Sequence, residues 1–367
     1  MAGFILAFVV INAMVMSTAA YTMFERRVIG RFQSRLGPNR WGPFGMFQPI
    51  ADIIKLMTKE DTAPTTADKL IFTISPIIFL VPVLVVMSVL PFGDGSFLGT
   101  LNVGLVFIIA VTGIHIIGVF VAGWASRNKY ALFGSMRGVA MLVSYEVPMA
   151  MSLVAIVLVS GSMSTLGIVQ AQHVPYALVM PLGFFVFLTA TLAEMSRAPF
   201  DMIEAESELG SGYNTEYSGM KFALFQLTEF MAPLVNGSIT TVLFLGGTKG
   251  PIFSGPWWFV LKVVAFAFVI VWIRSTWPRL RVDQIMTFSW KVLFPLSLVN
   301  LALVAVEYFA LQDATGAISR SDLLIMAGIN WTVSVVIYVT ANALGQKQWK
   351  RPLPVASPLA NIAAEAD

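Results

Sequence analysis

Nine stretches of about 20 apolar residues, nearly free of charge, recur along the chain, each long enough to cross a hydrocarbon layer of ~30 Å as a helix. They fall at roughly 2–24, 71–92, 101–124, 138–161, 174–195, 221–246, 257–274, 289–311 and 323–344. A backbone inside lipid must satisfy its own hydrogen bonds, so runs of this length predict an all-α polytopic membrane protein of about nine transmembrane helices. The first run is read as a retained span rather than a cleaved leader, because its charges, Glu25-Arg26-Arg27, follow it. No repeat, low-complexity run or soluble domain interrupts the pattern. The reading is of one integral membrane domain over 1–367, with a first polar loop at 25–69 and an acidic loop at 196–220.

The loops fix an orientation. Of the 23 Lys and Arg, 20 lie in odd-numbered loops or the C-terminal tail, and only Lys249, Lys262 and Arg320 lie toward the other side. This positive-inside asymmetry predicts a cytoplasmic C-terminus and an outer N-terminus in the cell inner membrane. The pI near 9.1 follows from that anchoring and gives no reason to expect nucleic acid. The chain has no cysteine and two histidines, His115 and His173, far apart in sequence. It therefore cannot hold an iron–sulfur cluster by thiolates, and redox chemistry falls to a partner or a ligand.

Outer loops are short and plain, whereas the cytoplasmic ones are long and specific, so function is sought on that face. In ERRVIGRFQSRLGPNRWGPFGMFQPIADIIKLMTKEDTAP, Arg27, Arg31 and Arg35 stand at i, i+4 and i+8, which predicts a helix continuing out of the first span until Gly37-Pro38-Asn39 breaks it. Beyond Gly42-Pro43, Ile50, Ile53, Ile54 and Met57 form an apolar stripe opposite Asp52, Lys55 and Lys59, the pattern of a helix lying in the membrane interface. Two readings stand. One is a basic collar held by lipid headgroups; the other is a doorway for an amphipathic ligand, which requires an apolar slot beside a cationic rim.

Residues 194–221, EMSRAPFDMIEAESELGSGYNTEYSGMK, hold six carboxylates against one arginine and one lysine. With a helix started at Pro199, Asp201, Glu204 and Glu208 share one face and Glu206 lies alongside, while Gly210-Ser211-Gly212 and Glu216 prolong the polar segment. Like charges at that spacing share protons unless fully solvated, so the loop is read either as a proton store or as an acidic surface that is solvated or docked onto a basic subunit. Further acids fall within spans: Glu146, Glu229, Glu194 at the end of the fifth, and Glu307 near the end of the eighth. A carboxylate there costs a few kcal/mol unless paired, protonated or beside water. Pro148 and Pro233 near Glu146 and Glu229 predict broken backbone that a water-lined cavity satisfies, favouring a proton or ion path over a structural pair with arginine. For His115 a neutral side chain bonded to a neighbouring helix is favoured over a relay. The loop WIRSTWPRLRVDQIMTFSWKVLFP adds interfacial tryptophans and a surface on which a soluble partner can dock.

The segments ERRVIGRFQSRLGPNRWGPFGMFQPIADIIKLMTKE, AEMSRAPFDMIEAESELGSGYNTEYSGMKFALFQLTEF and RSTWPRLRVDQIMTFSWKVLFP resemble the signature loops of the H subunits of proton-pumping NADH:quinone oxidoreductase, respiratory complex I, over about residues 20 to 300. The resemblance implies a membrane anchor beneath the redox arm, partnered by the other subunits, quinone and lipid. It implies flavin and iron–sulfur clusters in those partners, none held by metal ligands or covalently here, and quinone as the substrate. It places Arg26, Arg35 and the Gly37-Pro38-Asn39 turn at a quinone entrance, with Phe225 as a tail contact. Asp201, Glu204, Glu206, Glu208 and Glu216 would join the quinone cavity to Glu229, Glu146 and Glu194, coupling quinone reduction to proton translocation. The rivals are the homologous anchor of a membrane-bound hydrogenase or related dehydrogenase, told apart by neighbouring genes, and a stand-alone cation/proton antiporter. The antiporter is expected to show paired broken helices in inverted repeats, and the sequence carries no such pair.

Overall fold

The computed structural model describes residues 2–92, 101–203, 210–250, 254–312 and 319–349. Among them the secondary structure is helical: α1 (Ala2–Phe32), α2 (Gln48–Thr58), α3 (Lys69–Val86), α4 (Gly104–Ala125), α5 (Lys129–Ser160), α6 (Thr165–Ala171), α7 (Tyr176–Val179), α8 (Pro181–Glu194), α9 (Gly219–Leu243), α10 (Pro256–Thr276), α11 (Val282–Phe288), α12 (Phe294–Leu311) and α13 (Arg320–Trp349). Among the described residues seven helices are long and apolar enough to cross a membrane: α1, α3, α4, α5, α10, the continuous α11–α12 rod over Val282–Leu311, and α13. The chain is an all-α polytopic membrane protein. The fifth and sixth expected runs differ in kind from the others. Pro181 divides the fifth into four-residue α7 and 14-residue α8, because its ring forbids continuation of the preceding turn. The sixth, α9, is long enough at 25 residues but more polar, carrying Lys221, Glu229, Asn236, Ser238, Thr240 and Thr241.

Helices α3, α4, α5, α8 and α9 share the main apolar core, into which Phe72, Phe79, Tyr145, Phe187 and Phe225 are fully or almost fully withdrawn. Small residues let the backbones approach. A Cβ placed on Gly118 of α4 would sit 2.9 Å from the Phe79 Cα of α3, and one turn earlier His115 Nδ1 lies 3.2 Å from the Phe79 carbonyl. On the other side of the bundle, Lys262 donates from within α10 to the carbonyls of Leu245, Gly247 and Lys249 at 2.6–3.0 Å, which closes the end of α9 and the turn after it.

Two expectations about prolines are corrected. Helix α5 runs unbroken through Pro148, for 32 residues or roughly 48 Å, so its first turns extend beyond the hydrocarbon and place Lys129 and Arg137 on a helix. The carbonyls that Pro148 and Pro233 free are satisfied by side chains rather than by a water-lined cavity. Ser289 Oγ donates to Ser144 O at 2.6 Å, and Arg197 Nη2 to Glu229 O at 3.1 Å. Pro76 follows the same rule in α3, with Ser75 Oγ bonded to Phe72 O at 3.3 Å.

The first loop also ends its helix sooner than expected. Ser34 adopts a left-handed φ of 54°, its N–H bonding Arg31 O at 3.1 Å while the Arg35 N–H bonds Gly30 O at 2.9 Å. These two bonds close α1 in a Schellman turn, so Arg35 leaves the face shared by Arg27 and Arg31. The chain then folds back along α1. Gly37 packs on Arg27, where a Cβ would come within 3.1 Å of backbone, and Gly45, at φ 76°, leaves no room for a Cβ against the Pro38 carbonyl. In α2, Ile50, Ile53, Ile54 and Met57 are 45–61% exposed, an outward apolar stripe as the periodicity predicts. Replacing Gly118 with Ala is predicted to force α3 and α4 apart at a cost of ~1–3 kcal/mol, read as a lower unfolding temperature of the purified assembly; an unchanged transition would refute this close packing.

Candidate functional site

Helices α1, α2 and α9 enclose an apolar cavity of about 260 Å³. Val15 and Ala19 of α1, Ile53 and Leu56 of α2, and Phe222, Leu227 and Phe230 of α9 give most of its wall. Its polar edge consists of Arg26, Asp52 and Lys55 from the first loop side and Gln226 from α9. Arg26 Nη1 is 2.6 Å from Asp52 Oδ2, Gln48 Nε2 donates to the other carboxylate oxygen at 3.2 Å, and Lys55 stands 4.0 Å away. The slot is thus apolar along its walls and of mixed charge at its edge, where Asp52 pairs with Arg26 and stands near Lys55. Beyond α2 the chain is fastened to the start of α9 by Lys221–Asp61 at 3.0 Å and by Ser218 Oγ to Glu60 O at 3.0 Å.

Behind α9, three small cavities form a series. The first, about 20 Å³, is lined by Glu229, Tyr213, His115 and Glu194. The second, about 30 Å³, is lined by His115, Thr112, Asn236 and Glu194. The third, about 10 Å³, is lined by Glu194, Thr112, Tyr145 and Glu146. Each is close to the room one water needs. Glu194 lines all three and so stands between Glu229 and Glu146. Glu229 accepts from Tyr213 at 3.1 Å and, more distantly, from Gln226 Nε2 at 3.5 Å. Gln226 also faces the large cavity, so it is one link from the apolar slot to the carboxylates. His115, bonded to the Phe79 carbonyl with its ring 4.0 Å from the Phe79 ring, fits the packed reading while bordering two of the small cavities.

A buried ion cluster joins these two regions. Glu25, 2% exposed and two turns before the end of α1, pairs with Arg274 of α10 and lies 3.6 Å from Arg197, itself 7% exposed. The Arg197 guanidinium also sits 5.0 Å above the ring of Phe230, on the wall of the large cavity, and holds the carbonyl of Glu229. Nothing in the spacing along the chain pairs these three residues. The one visible signal is a carboxylate directly at the end of an apolar run, where an unpaired charge is expensive.

The NADH dehydrogenase family model matches residues 5–305. The chain belongs to this family, within its H subunits. It is 49% identical over 316 residues to the NADH-quinone oxidoreductase H subunit of Dehalococcoides mccartyi strain 195, covering 86% of this chain and 90% of that one. It is 48% identical over 311 residues to the corresponding H subunit of Brevibacillus brevis, with 83% and 92% covered, and 47% identical over 302 residues to that of Geobacillus kaustophilus, with 80% and 90% covered.

The residues expected at the sites of such a chain divide into several groups. Arg26 lines the cavity, whereas Arg35 is exposed and bonded to Gln33 at 2.7 Å, and Gly37, Pro38 and Asn39 belong to the turn packed on α1. Phe225 does not touch the slot; it is fully buried on the far side of α9 among Phe79, Tyr213 and Tyr217, with ring centroids at 4.8–5.2 Å. Phe222 and Phe230 face the cavity instead. The helix expected from Pro199 does not begin there: residues 199–203 are non-helical, and Asp201 pairs with Arg279 at 2.7 Å. Glu204, Glu206 and Glu208 lie outside the described residues. Glu216 accepts from Asn128 Nδ2 at 2.6 Å, and the Asn128 side chain also caps α5 by accepting from the Tyr130 N–H through its Oδ1. Tyr217, one residue on, shares a 2.7 Å hydrogen bond with Ser75, and burial pushes its phenol up to about 12 against the opposing pull of its serine hydrogen bonds. Replacing Glu25 with Gln leaves two arginines facing each other and is predicted to cost ~3–5 kcal/mol. The expected result is little or no assembled protein on a native gel, and normal assembly would show that the cluster contributes little.

Proposed function

We propose that this chain is the membrane anchor of a proton-translocating NADH:quinone oxidoreductase. It admits quinone from the bilayer through the slot between α1, α2 and α9 and passes the consequence of quinone reduction to Glu229, Glu194 and Glu146. The observation that carries this reading is the slot itself. Its apolar wall suits an isoprenoid tail, its Arg26–Asp52–Lys55 edge suits a polar head, and α2 turns an apolar stripe outward beside it. The family membership and the relatives among H subunits support the same assignment over a hydrogenase anchor. The partners are then the other subunits of the complex, in the cell inner membrane, with the basic loops on the cytoplasmic side.

Electrons reach quinone from the flavin and iron–sulfur clusters of partner subunits. Quinone becomes quinol by taking two electrons and two protons, so each turnover creates a local demand for protons. The acidic loop, Asp201, Glu204, Glu206, Glu208 and Glu216, supplies or senses that demand. Its two ends support such a role: Asp201 is tied to the α10–α11 loop through Arg279, while Tyr213, just past Gly210-Ser211-Gly212, donates to Glu229. A change of charge in the loop thereby reaches the first carboxylate through one hydrogen bond, and Glu194 connects it through the small cavities to Glu146. Arg35, Gly37, Pro38 and Asn39 shape the approach to the slot rather than its wall, and Phe225 supports α9 from behind.

Replacing Arg26 with Ala in the assembled complex is predicted to raise the KM for quinone about tenfold, ~1.4 kcal/mol, while NADH oxidation by ferricyanide stays at the wild-type rate. Arg35→Ala is predicted to change the KM less. Unaltered quinone kinetics in an assembled Arg26→Ala complex would return the first loop to a lipid-anchoring collar.

A further inference from the structure

We propose that the buried face of the α11–α12 rod carries protons across the membrane inside this chain, from beside Glu146 to Glu307; this rests on the reading above that the complex moves protons. The buried positions Ile285, Ser289, Leu293, Ser297, Asn300, Val304 and Glu307 recur every three or four residues, one continuous stripe. Four of the seven are polar. From Ser289 to Glu307 the rise is 18 residues, ~27 Å, nearly the full hydrocarbon thickness of ~30 Å.

The stripe begins at the carboxylate line. Tyr145 borders the cavity shared by Glu194 and Glu146, and its hydroxyl donates to Ile285 O at 3.0 Å, one turn before Ser289. Ser289–Leu293 is a π-helical turn, an insertion that is costly in a plain helix and common where function needs a helix face redirected. It points Ser289 at Ser144 of α5, while Asn300 packs against Gly183 of α8 and Glu307 meets Asn330 of α13.

Packing alone does not account for the polar groups. Asn300 is 0% exposed, yet neither its Nδ2 nor its Oδ1 has a hydrogen-bond partner among the described residues. Glu307, 6% exposed, receives Asn330 Nδ2 on Oε2 at 2.7 Å, and its Oε1 likewise has no partner among them. An interhelical clasp between α12 and α13 explains the Oε2 bond and nothing else. Amide and carboxyl atoms left unmatched in hydrocarbon cost kcal/mol each, and water carrying a proton satisfies them. In each transfer the Glu307 carboxylate takes one proton arriving along the stripe and releases one toward the opposite side. Ser289 and Ser297 hydroxyls and the Asn300 amide hold the connecting water and undergo no net change.

The test uses the complete complex in liposomes, with electron transfer and protons moved per NADH measured together. Glu307→Gln is expected to transfer electrons near the wild-type rate with a lower proton yield, and Asn300→Leu, which replaces the amide by an apolar group, to do the same should the first variant fail to assemble. A full proton yield in either assembled variant overturns the proposal, as does slower electron transfer with an unchanged yield per NADH, which marks a structural role. Glu229→Gln in the same preparation separates the two readings. If it lowers the yield while Glu307→Gln does not, only the α12 stripe falls; if Glu229→Gln also gives a full yield, the carboxylate coupling itself falls.

Discussion

In a hydrocarbon layer every backbone carbonyl needs a donor, and the prolines within these helices remove donors at chosen places. Pro76, Pro148 and Pro233 each leave a carbonyl open, and in each case a side chain closes it: Ser75, Ser289 and Arg197. The last two come from outside the helix that holds the proline. The backbone of α9 at Glu229 therefore depends on the segment after α8, and the turn of α5 below Glu146 depends on the π-helical turn of the α11–α12 rod. Other segments of the chain are thus joined to the carboxylate-bearing helices at the points where proline removes a backbone donor.

Charge follows the same economy. Arg197 holds a carbonyl of α9, approaches the Glu25 carboxylate, and lies over Phe230 on the wall of the apolar slot. A ligand that shifts Phe230 acts on a side chain tied to Glu229's own backbone, while Gln226 offers a second contact from the slot to the Glu229 carboxylate. A buried ion cluster of this kind is a weak source of stability compared with well-packed apolar residues, and here it ties α1 to α10 and, through Arg197, to the backbone of α9.

Much of this is legible in the sequence. Apolar length marks the helices, and the outward stripe of α2 follows from the spacing of Ile50, Ile53, Ile54 and Met57. The acids within spans draw attention because charge there is costly. Other features depend on contacts between residues far apart in sequence, which periodicity does not encode. Glu25 of α1, Arg197 of the segment after α8 and Arg274 of α10 come together from distant parts of the chain, and Phe225 and Phe222 differ only in which side of α9 they occupy. Arg35 departs from its expected helix face because a left-handed Ser34 ends the helix without a glycine or proline to announce it. The split of the fifth run at Pro181 is visible in principle, since Pro in an apolar run breaks the preceding turn.

The central claim is that the slot between α1, α2 and α9 is the route of quinone. Filling it tests this most directly. Ala19 lies on its α1 wall, and Ala19→Trp adds bulk there while leaving every residue of the ion cluster and the carboxylate line in place. The measurement is NADH-dependent reduction of a long-tailed quinone by the assembled variant, with ferricyanide reduction as the control. The account predicts strongly impaired quinone reduction beside normal ferricyanide reduction. Wild-type kinetics with the long-tailed quinone in an assembled Ala19→Trp complex would contradict it.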